Sequence, residues 1–461
     1  MKKKIGVFID HDLTIRNFIF TNSFSELEKK YNLLYIFPDE KNRPGKRRRL
    51  TSGIFNKLKV KNKIFVKVDF KRHKYIRYFQ IISNLYFSRY KSGLDKKTFI
   101  YCQERAINSR LKTLFFKILS IFPIYYFTSF IFKKCILREN FFLKEVLVNN
   151  LIDVIVHPTA WEGFFDSDLI DLGKKLKIPS FILMNSWDNT NLSGMTHGSP
   201  FKYLVWGKKA KIYANKYKKI PYKNIEVIGS AQFNYNDGST INYKNLIGLK
   251  KNLDFILYAG SNMGLDETKQ LEFLDNYIEK YNKKIKIVYR PHPWKQKAKN
   301  EKNIQKKNLK NVILDPFSIK NYNSLFNMKS AKGIISSKAN ESRIIIQSSI
   351  GVIGPIGTLS LESCWNKLPC CTFFPQGKEI NNLHPFFKYW INLRHLQDFL
   401  SELKIPLIRN TEGLIEAIEF ICKKKTDNKY KMSLYKKSLK YLDSRLIYKK
   451  KLFNSIDKIF N

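Results

Sequence analysis

The stretch IKIVYRPHPW, residues 285–294, decides how this chain is read. A β-branched and aromatic run stops at Arg290, and two prolines then bracket His292. Pro291 and Pro293 fix their own φ and push Arg290 and His292 toward extended geometry. Both side chains therefore leave a stiff strand end with little conformational entropy left to lose. A planar Arg fork and a His N–H suit phosphate oxygens. The plain alternative is a capping Arg beside a turn His.

Outward from this strand, apolar runs of strand length recur along the whole chain. The first half holds KIGVFI (4–9), NLLYIF (32–37), KIFVKV (63–68), TFIY (98–101), IDVIVH (152–157), SFILM (180–184), YLVW (203–206) and IEVIG (225–229). The second half holds DFILYAG (254–260), IKIVYR (285–290), NVILD (311–315), KGIISS (332–337), IGVIG (350–354) and CCTFF (370–374). Helix-like segments such as SFSELEKKY, DSDLIDLGKKLK and DETKQLEFLDNYIEKY lie between some of them. That alternation predicts an α/β fold, with parallel sheets covered on both faces. The polar, aperiodic FNYNDGSTINYKN at 233–245 marks the break. We expect one Rossmann-like domain over 1–235, a second over 246–425, the two facing a cleft, and a basic helical tail over 426–461.

In such sheets a ligand sits beyond the carboxyl ends of the strands. Three of the seven histidines, His11, His157 and His292, follow directly on strand-like runs. As a set they favour function, although any one of them taken singly reads as structural.

The 461 residues carry 84 Lys+Arg against 38 Asp+Glu, a net charge of +46. Such a surplus points to anionic partners, or to a lysine-rich composition bias that is evident throughout. The lysines are spread along the chain rather than interleaved with aromatics on one face, which argues against a specific nucleic-acid partner. Six cysteines show no CxxC pair and no metal spacing; Cys370 and Cys371, after a proline in an apolar run, are expected as buried free thiols, which fits a reducing cytoplasm. The N-terminal MKKKIGVFIDHD reads as a first strand and not as a signal peptide. Residues 114–132, LFFKILSIFPIYYFTSFIF, are nearly continuously apolar but are broken by Pro123 and flanked by lysines. An interfacial helical hairpin suits that pattern best, with a buried core segment or a true span as alternatives.

A second constellation lies in GPIGTLSLESCW, residues 354–365, which reads strand, tight turn, helix. Gly354, Pro355 and Gly357 make the turn and Thr358 suits the helix start, where free N–H groups and the positive dipole end favour an anion. Glu362 follows one turn later on the same face, placed to accept from ribose hydroxyls. YAGSNMG (258–264) adds a glycine turn with Ser261 and Asn262 as further phosphate donors.

A strand followed by RPHP, then Gly-Thr-x-x-x-Glu at a helix start, resembles the nucleotide-binding half of GT-B glycosyltransferases. The resemblance is to the branch that includes CDP-glycerol glycerophosphotransferases and bacterial surface-polysaccharide transferases. Arg290, His292, Thr358 and Glu362 match that pattern, and Gly357 stands where the family has Ser. Residues 151–235, including MNSWDN, VWGKKAK and IEVIGSAQFN, are similar to glycosyltransferase-like proteins of polysaccharide gene clusters. Ser193-Gly194 replaces the Lys-Gly pair of that family.

On the acceptor side, Ser186, Asp188 and Asn189 supply hydroxyl, carboxylate and amide at a strand end, and Lys202 lies in a loop that could face the cleft. Asp10, His11 and Asp12 end the first strand, with Arg16 opening the next helix. The resemblance implies His11 or Asp12 as general base, with Asp188 as a further catalytic candidate; Asp12 as a helix cap is the plain alternative. Asp10-x-Asp12 formally matches a metal-binding DxD, but no metal or other cofactor is expected.

The resemblance implies metal-independent transfer of a sugar from a nucleotide-sugar to a lipid-linked or polymeric surface glycan. The basic surface and residues 114–132 fit peripheral docking at the inner face of the cytoplasmic membrane, where lipid-linked acceptors reside. The alternatives are a CDP-polyol-phosphate transferase, a nucleotide-sugar 2-epimerase, and a basic nucleic-acid-binding protein. Residues 114–132 weigh against the epimerase, which needs no membrane element.

Overall fold

A computed structural model shows how this alternation folds. The structure describes residues 2–10, 12–39, 60–90, 109–136, 139–159, 165–188, 198–233, 241–261, 267–281, 283–292, 307–318, 339–377, 390–443 and 445–461, with a few isolated positions between them. The expected strands at 98–101 and 332–337 lie outside the described residues.

The first unit comprises Met1–Gln232 with Arg445–Asn461. Its strands are β1 (Lys4–Phe8), β2 (Asn32–Asp39), β3 (Lys63–Lys67), β4 (Val154–Thr159), β5 (Ser180–Met184), β6 (Lys202–Val205) and β7 (Ile225–Val227). They form one parallel sheet in the order β3-β2-β1-β4-β5-β6-β7. Its helices are α1 (Ser25–Lys30), α2 (Phe70–Tyr90), α3 (Arg110–Leu119), α4 (Ile124–Ile131), α5 (Phe141–Asn149), α6 (Asp166–Lys175) and α7 (Lys208–Lys218). β4 and β5 are buried at every position, which is why their sequences run apolar without alternation: helices cover both faces. Phe8, Ile36, Leu143, Ile155, Phe165 and Leu169 share one core cluster beneath α5 and α6. Asp168 of α6 accepts a bidentate pair from Arg72 (2.6 and 3.2 Å) and a third bond from Asn140 (2.6 Å). One buried carboxylate thus fixes the start of α2 and the cap of α5 to α6.

The second unit, Phe233–Ser444, holds β8 (Asp254–Ala259), β9 (Ile285–Arg290), β10 (Val312–Leu314), β11 (Gly351–Gly354), β12 (Cys370–Phe373) and β13 (Leu407–Ile408). Their order is β10-β9-β8-β11-β12-β13, again all parallel. The helices are α8 (Thr268–Lys280), α9 (Ala339–Ser348), α10 (Thr358–Trp365), α11 (Arg394–Leu403), α12 (Leu414–Lys424) and α13 (Asn428–Ser438). The two Rossmann-like sheets make this the expected GT-B class of fold.

Residues 426–461 are helical but divide between the units. α13 packs on α10 and α11. α14 (Tyr448–Asp457) returns to the first unit, where Asp457 takes bonds from Lys30 (2.5 Å) and from the Tyr31 hydroxyl. Ser455 donates to Glu226 at 2.7 Å, and the Tyr448 ring meets Phe18 edge-on.

No single helix among the described residues is long and apolar enough to cross a membrane. Residues 114–132 form α3 and α4, two short arms bent by 100° at a break that includes the cis Phe122–Pro123 bond.

Gly351 is where β11 passes closest to its covering helix. A Cβ there would lie 2.5 Å from Ile421 Cγ2 on α12 and 2.9 Å from the Pro369 carbonyl. Neither atom can yield easily, since Ile421 is fully buried and Pro369 O is backbone. Gly351→Ala is expected to destabilise the second unit by about 1–3 kcal/mol through overpacking. A lowered urea midpoint for that unit's transition checks this.

Candidate functional site

In the second sheet the chain leaves β8 toward β9 and β10, then crosses back to lay β11 on β8's other edge. Connections that run opposite ways from neighbouring strands open a crevice at their carboxyl ends. Here that point lies between Ala259 and Gly354. The two ends approach so closely that a Cβ on Gly354 would stand 2.8 Å from the Ala259 Cβ. On the other flank, Gly260 N–H donates to the Arg290 carbonyl at 2.8 Å. A Cβ on Gly260 would meet Pro291 Cα and His292 N at 3.0 Å. The glycines of YAGS and VIGP are therefore what let three strand ends converge.

Glu267 pins this convergence. One carboxylate oxygen accepts from the Ser261 N–H at 2.6 Å and the other from the Tyr289 hydroxyl at 2.5 Å. The Ser261 hydroxyl is buried and has no hydrogen-bond partner among the described residues. β11 then turns through Pro355–Gly357 into α10, whose cap residue Gly357 offers no side chain to the first-turn N–H groups. Those donors and the positive dipole end suit an anion. Thr358 is half-buried at that start, and Glu362 is buried one turn later at 8% exposure. His292 is half-buried at the end of β9, and Asn262 lies outside the described residues.

Arg290 is placed differently from the expectation of a free phosphate fork. Its Nη1 is 3.1 Å from Asp315 Oδ2, and its Nη2 is 4.0 Å from Glu341. Asp315 is fully buried and also accepts from Tyr243 (2.8 Å), the Ser318 hydroxyl (2.7 Å) and the Phe317 N–H (3.1 Å). Burial first, and then Asp315, push the Tyr243 phenol well above its ordinary range. The guanidinium charge is thus balanced within the fold. Glu267 and Asp315 were not singled out by sequence. Both sit where a signal existed, Glu267 just ahead of a helix and Asp315 ending NVILD.

In the first sheet the corresponding crossover lies between β1 and β4. Asp10 follows β1, is buried, and accepts the Phe165 N–H at 3.1 Å. Asp12 begins a short helical turn that runs on into Ile15–Ile19, and His11 lies outside the described residues. Arg16 donates to the Asn17 side chain (2.9 Å), and Asn17 donates to Asn185 beyond β5 (2.8 Å). Ser186 and Asp188 follow Asn185, both half-buried, while Asn189 is outside the described residues. Arg16, Ser186 and Asp188 therefore gather at one end of this sheet.

Lys202 does not join them. It starts β6 in register with Phe181 near the start of β5, and its ammonium donates to the Lys223 carbonyl at 2.9 Å. Parallel strands put that position at the opposite end of the sheet, so the loop expected to hold it is already strand.

His157 also changes role. It lies inside β4, fully buried, with Nδ1 2.8 Å from the Phe8 carbonyl and Nε2 2.8 Å from Asp166. Asp10 Oδ2 is 3.6 Å from Nε2. Burial lowers its pKa, but Asp10, Asp166 and Phe8 outweigh that and raise it to about 9. An imidazolium between two carboxylates, with both ring nitrogens engaged, ties β1, β4 and α6 together. These three groups are close enough to chelate a cation, which would have to displace the ring proton the two carboxylates favour.

No family model matches the chain, and no curated protein matches it significantly by sequence. Solved structures match along nearly the whole length. The UDP-GlcNAc 2-epimerase of Neisseria meningitidis bound to UDP-GlcNAc is 12% identical, with TM-score 0.51 over 99% of this chain and 100% of that one. S. aureus MnaA in its UDP co-structure is 10% identical, with TM-score 0.50 over 100% and 97%. A putative UDP-N-acetylglucosamine 2-epimerase of Listeria monocytogenes gives 10% and 0.50 over 96% and 94%. At these identities the likeness establishes the GT-B fold alone. The expectation of sugar transfer to a glycan acceptor is corrected by these matches, which back the epimerase alternative better. Residues 114–132 form two short helices that pack on α2, outside both sheets.

The His157 geometry makes a pH prediction. Its native pKa lies above the ordinary value near 6.5, so its stabilisation is complete below about pH 6.5 and is lost as pH rises through about 9. The melting temperature should fall across that window, by an amount equivalent to about 3 kcal/mol at most. His157→Gln should melt lower at pH 7 and show a flatter profile. Equal slopes for the two proteins would remove the latch.

Proposed function

We propose that this chain is a nucleotide-sugar 2-epimerase acting on a UDP-activated 2-acetamido sugar. The carrying observation is the uncapped start of α10 after the β8/β11 crossover, with the Ser261 hydroxyl at the end of β8 buried and without a partner among the described residues. Whole-length likeness to three proteins described as 2-epimerases, or crystallised with UDP, agrees with this assignment.

The chemistry sets what the site must do. A C2–H bond next to an intact glycosyl diphosphate is not acidic. When the C1–O bond breaks, its electron pair leaves with the diphosphate and C1 becomes electron-deficient. Loss of the C2 proton then puts the C–H pair into a C1=C2 double bond. Return of a proton to the other face of C2, and of the diphosphate oxygen to C1, gives the epimer with no net change in atoms or electrons. The departing diphosphate must be stabilised without being released. The first-turn N–H groups of α10 and the Ser261 hydroxyl supply fixed dipoles for that charge. Glu362, buried one turn along α10, is assigned to the ribose hydroxyls. Arg290 acts by position: its pair with Asp315 holds the end of β9 against Gly260.

Incubating the protein with UDP-GlcNAc in D2O tests this directly. Proton NMR should show deuterium entering C2 and the 2-epimer accumulating. Unchanged C2–H under conditions where UDP binds would reject the epimerase. A thermal shift with CDP and none with UDP would instead favour a CDP-polyol-phosphate donor.

Gly357 offers a sharper test of the anion site. Its backbone is extended at φ 173°, and nothing lies within 4 Å of a Cβ built there. Gly357→Asp should fold normally and cap α10 with its own carboxylate. That carboxylate competes for the N–H groups and repels diphosphate, so UDP affinity should fall at least about tenfold, or ~1.4 kcal/mol. Undiminished UDP binding would place the diphosphate elsewhere.

A further inference from the structure

The helical arms α3 and α4 leave their apolar surface uncovered. Their inner side is well anchored: Phe116 and Tyr125 pack into a cluster with Ile81, Ile82, Leu85 and Tyr86 of α2. The Tyr86 and Tyr125 rings stack at 4.0 Å, and Tyr125 donates to Ser83 at 3.2 Å. Phe132, which follows α4, stacks on Phe79 at 4.7 Å. The outer side is different. Leu111 is 82% exposed, Phe127 67% and Phe122 60%, with Leu114, Phe115 and Phe130 also exposed. A folded surface rarely leaves so many large apolar side chains together unless something covers them.

We infer that this outer face docks into the surface of an anionic lipid bilayer. Charge selects that occupant. Between Arg110 and Ile136 the chain has five basic residues, Arg110, Lys112, Lys117, Lys133 and Lys134, and no acidic one. Lys134 extends over the exposed Phe130 ring, 4.8 Å from its centroid. An exposed phenylalanine face with only basic residues among its charges suits acyl chains beneath anionic headgroups. A second copy of the same face would bring these like charges together with no carboxylate from the patch to offset them.

Neither arm is long enough to span by itself, and the two are bent by 100° where they meet. Arms of ten and eight residues reach about 15 and 12 Å, against a hydrocarbon core of about 30 Å. They are also held by their inner faces to α2, so they lie in the interface and not across it.

Vesicle flotation of the full-length protein tests this, independently of any nucleotide chemistry. Binding should be strong to vesicles of 30% phosphatidylglycerol in phosphatidylcholine, weak to phosphatidylcholine alone, and reduced in 0.5 M salt. Phe122→Ser with Phe127→Ser should lower the vesicle partition at least about tenfold, as should Lys112→Glu with Lys133→Glu. Both pairs are exposed, so the melting temperature and the UDP response should stay as in the unaltered protein. No binding of the unaltered protein to anionic vesicles would overturn the inference. So would equal binding by the variants. A dimer in light scattering that the phenylalanine pair dissolves, without vesicle binding, would assign the face to self-association instead.

Discussion

A parallel strand cannot be reached from its neighbour by a hairpin; the chain must travel over the sheet and re-enter from the same end. Everything distinctive in this protein follows from that constraint applied twice. Each sheet grows outward from its first strand in one direction and then resumes on the other edge, β1 to β4 and β8 to β11. At those two edges the loops diverge and leave strand ends bare. In the second sheet the bare ends are brought into contact, because Gly260 and Gly354 carry no side chain to hold them apart. The N–H groups at the start of α10 then stand at the crossover without a cap.

Electrostatics divides the charged groups at these ends into those that hold the fold and those left to act. Arg290 and Asp315 neutralise one another, and the carboxylate is further occupied by Tyr243, Phe317 and Ser318. Breaking such a buried set would leave an uncompensated charge, so its members serve first as structure. His157 between Asp10 and Asp166 is the counterpart in the first sheet. Among the described residues at these strand ends, the helix-start N–H groups and the Ser261 hydroxyl are not taken up by such pairing. Fixed dipoles of that kind stabilise a departing diphosphate without reorganising as the charge develops.

The α3–α4 arms show the same separation of duties on one element. Phe116, Tyr125 and Phe132 face α2 and secure the arms, while the alternate faces present phenylalanine and lysine outward. Anchoring by one face leaves the other with a composition suited to an amphipathic surface. The sheets and their crossovers need no contribution from it. The bare face of the arms therefore places no demand on the sheets or on the strand ends between them.

The class of fold was legible because the signal is local. Buried parallel strands run apolar without alternation, so KIGVF, VIVHPT, IKIVYR and GVIG announce themselves, and the helices between them imply crossovers. The glycine turn ahead of Thr358 was legible for the same reason. The two-residue β13 was too short to register, and the role of each charged residue was not local at all. Nothing adjacent to Arg290 announces Asp315, 25 positions on, and nothing near His157 announces Asp10, which follows the distant strand β1. Lys202 was misplaced because a loop and the first residue of an edge-ward strand look alike until register puts one end of the sheet opposite the other. By itself the sequence determined two parallel α/β sheets and an exposed-or-buried ambiguity at residues 114–132. Tertiary structure alone decided which charges neutralise each other and which face of the arms stays bare, because pairing and burial depend on what distant segments bring alongside.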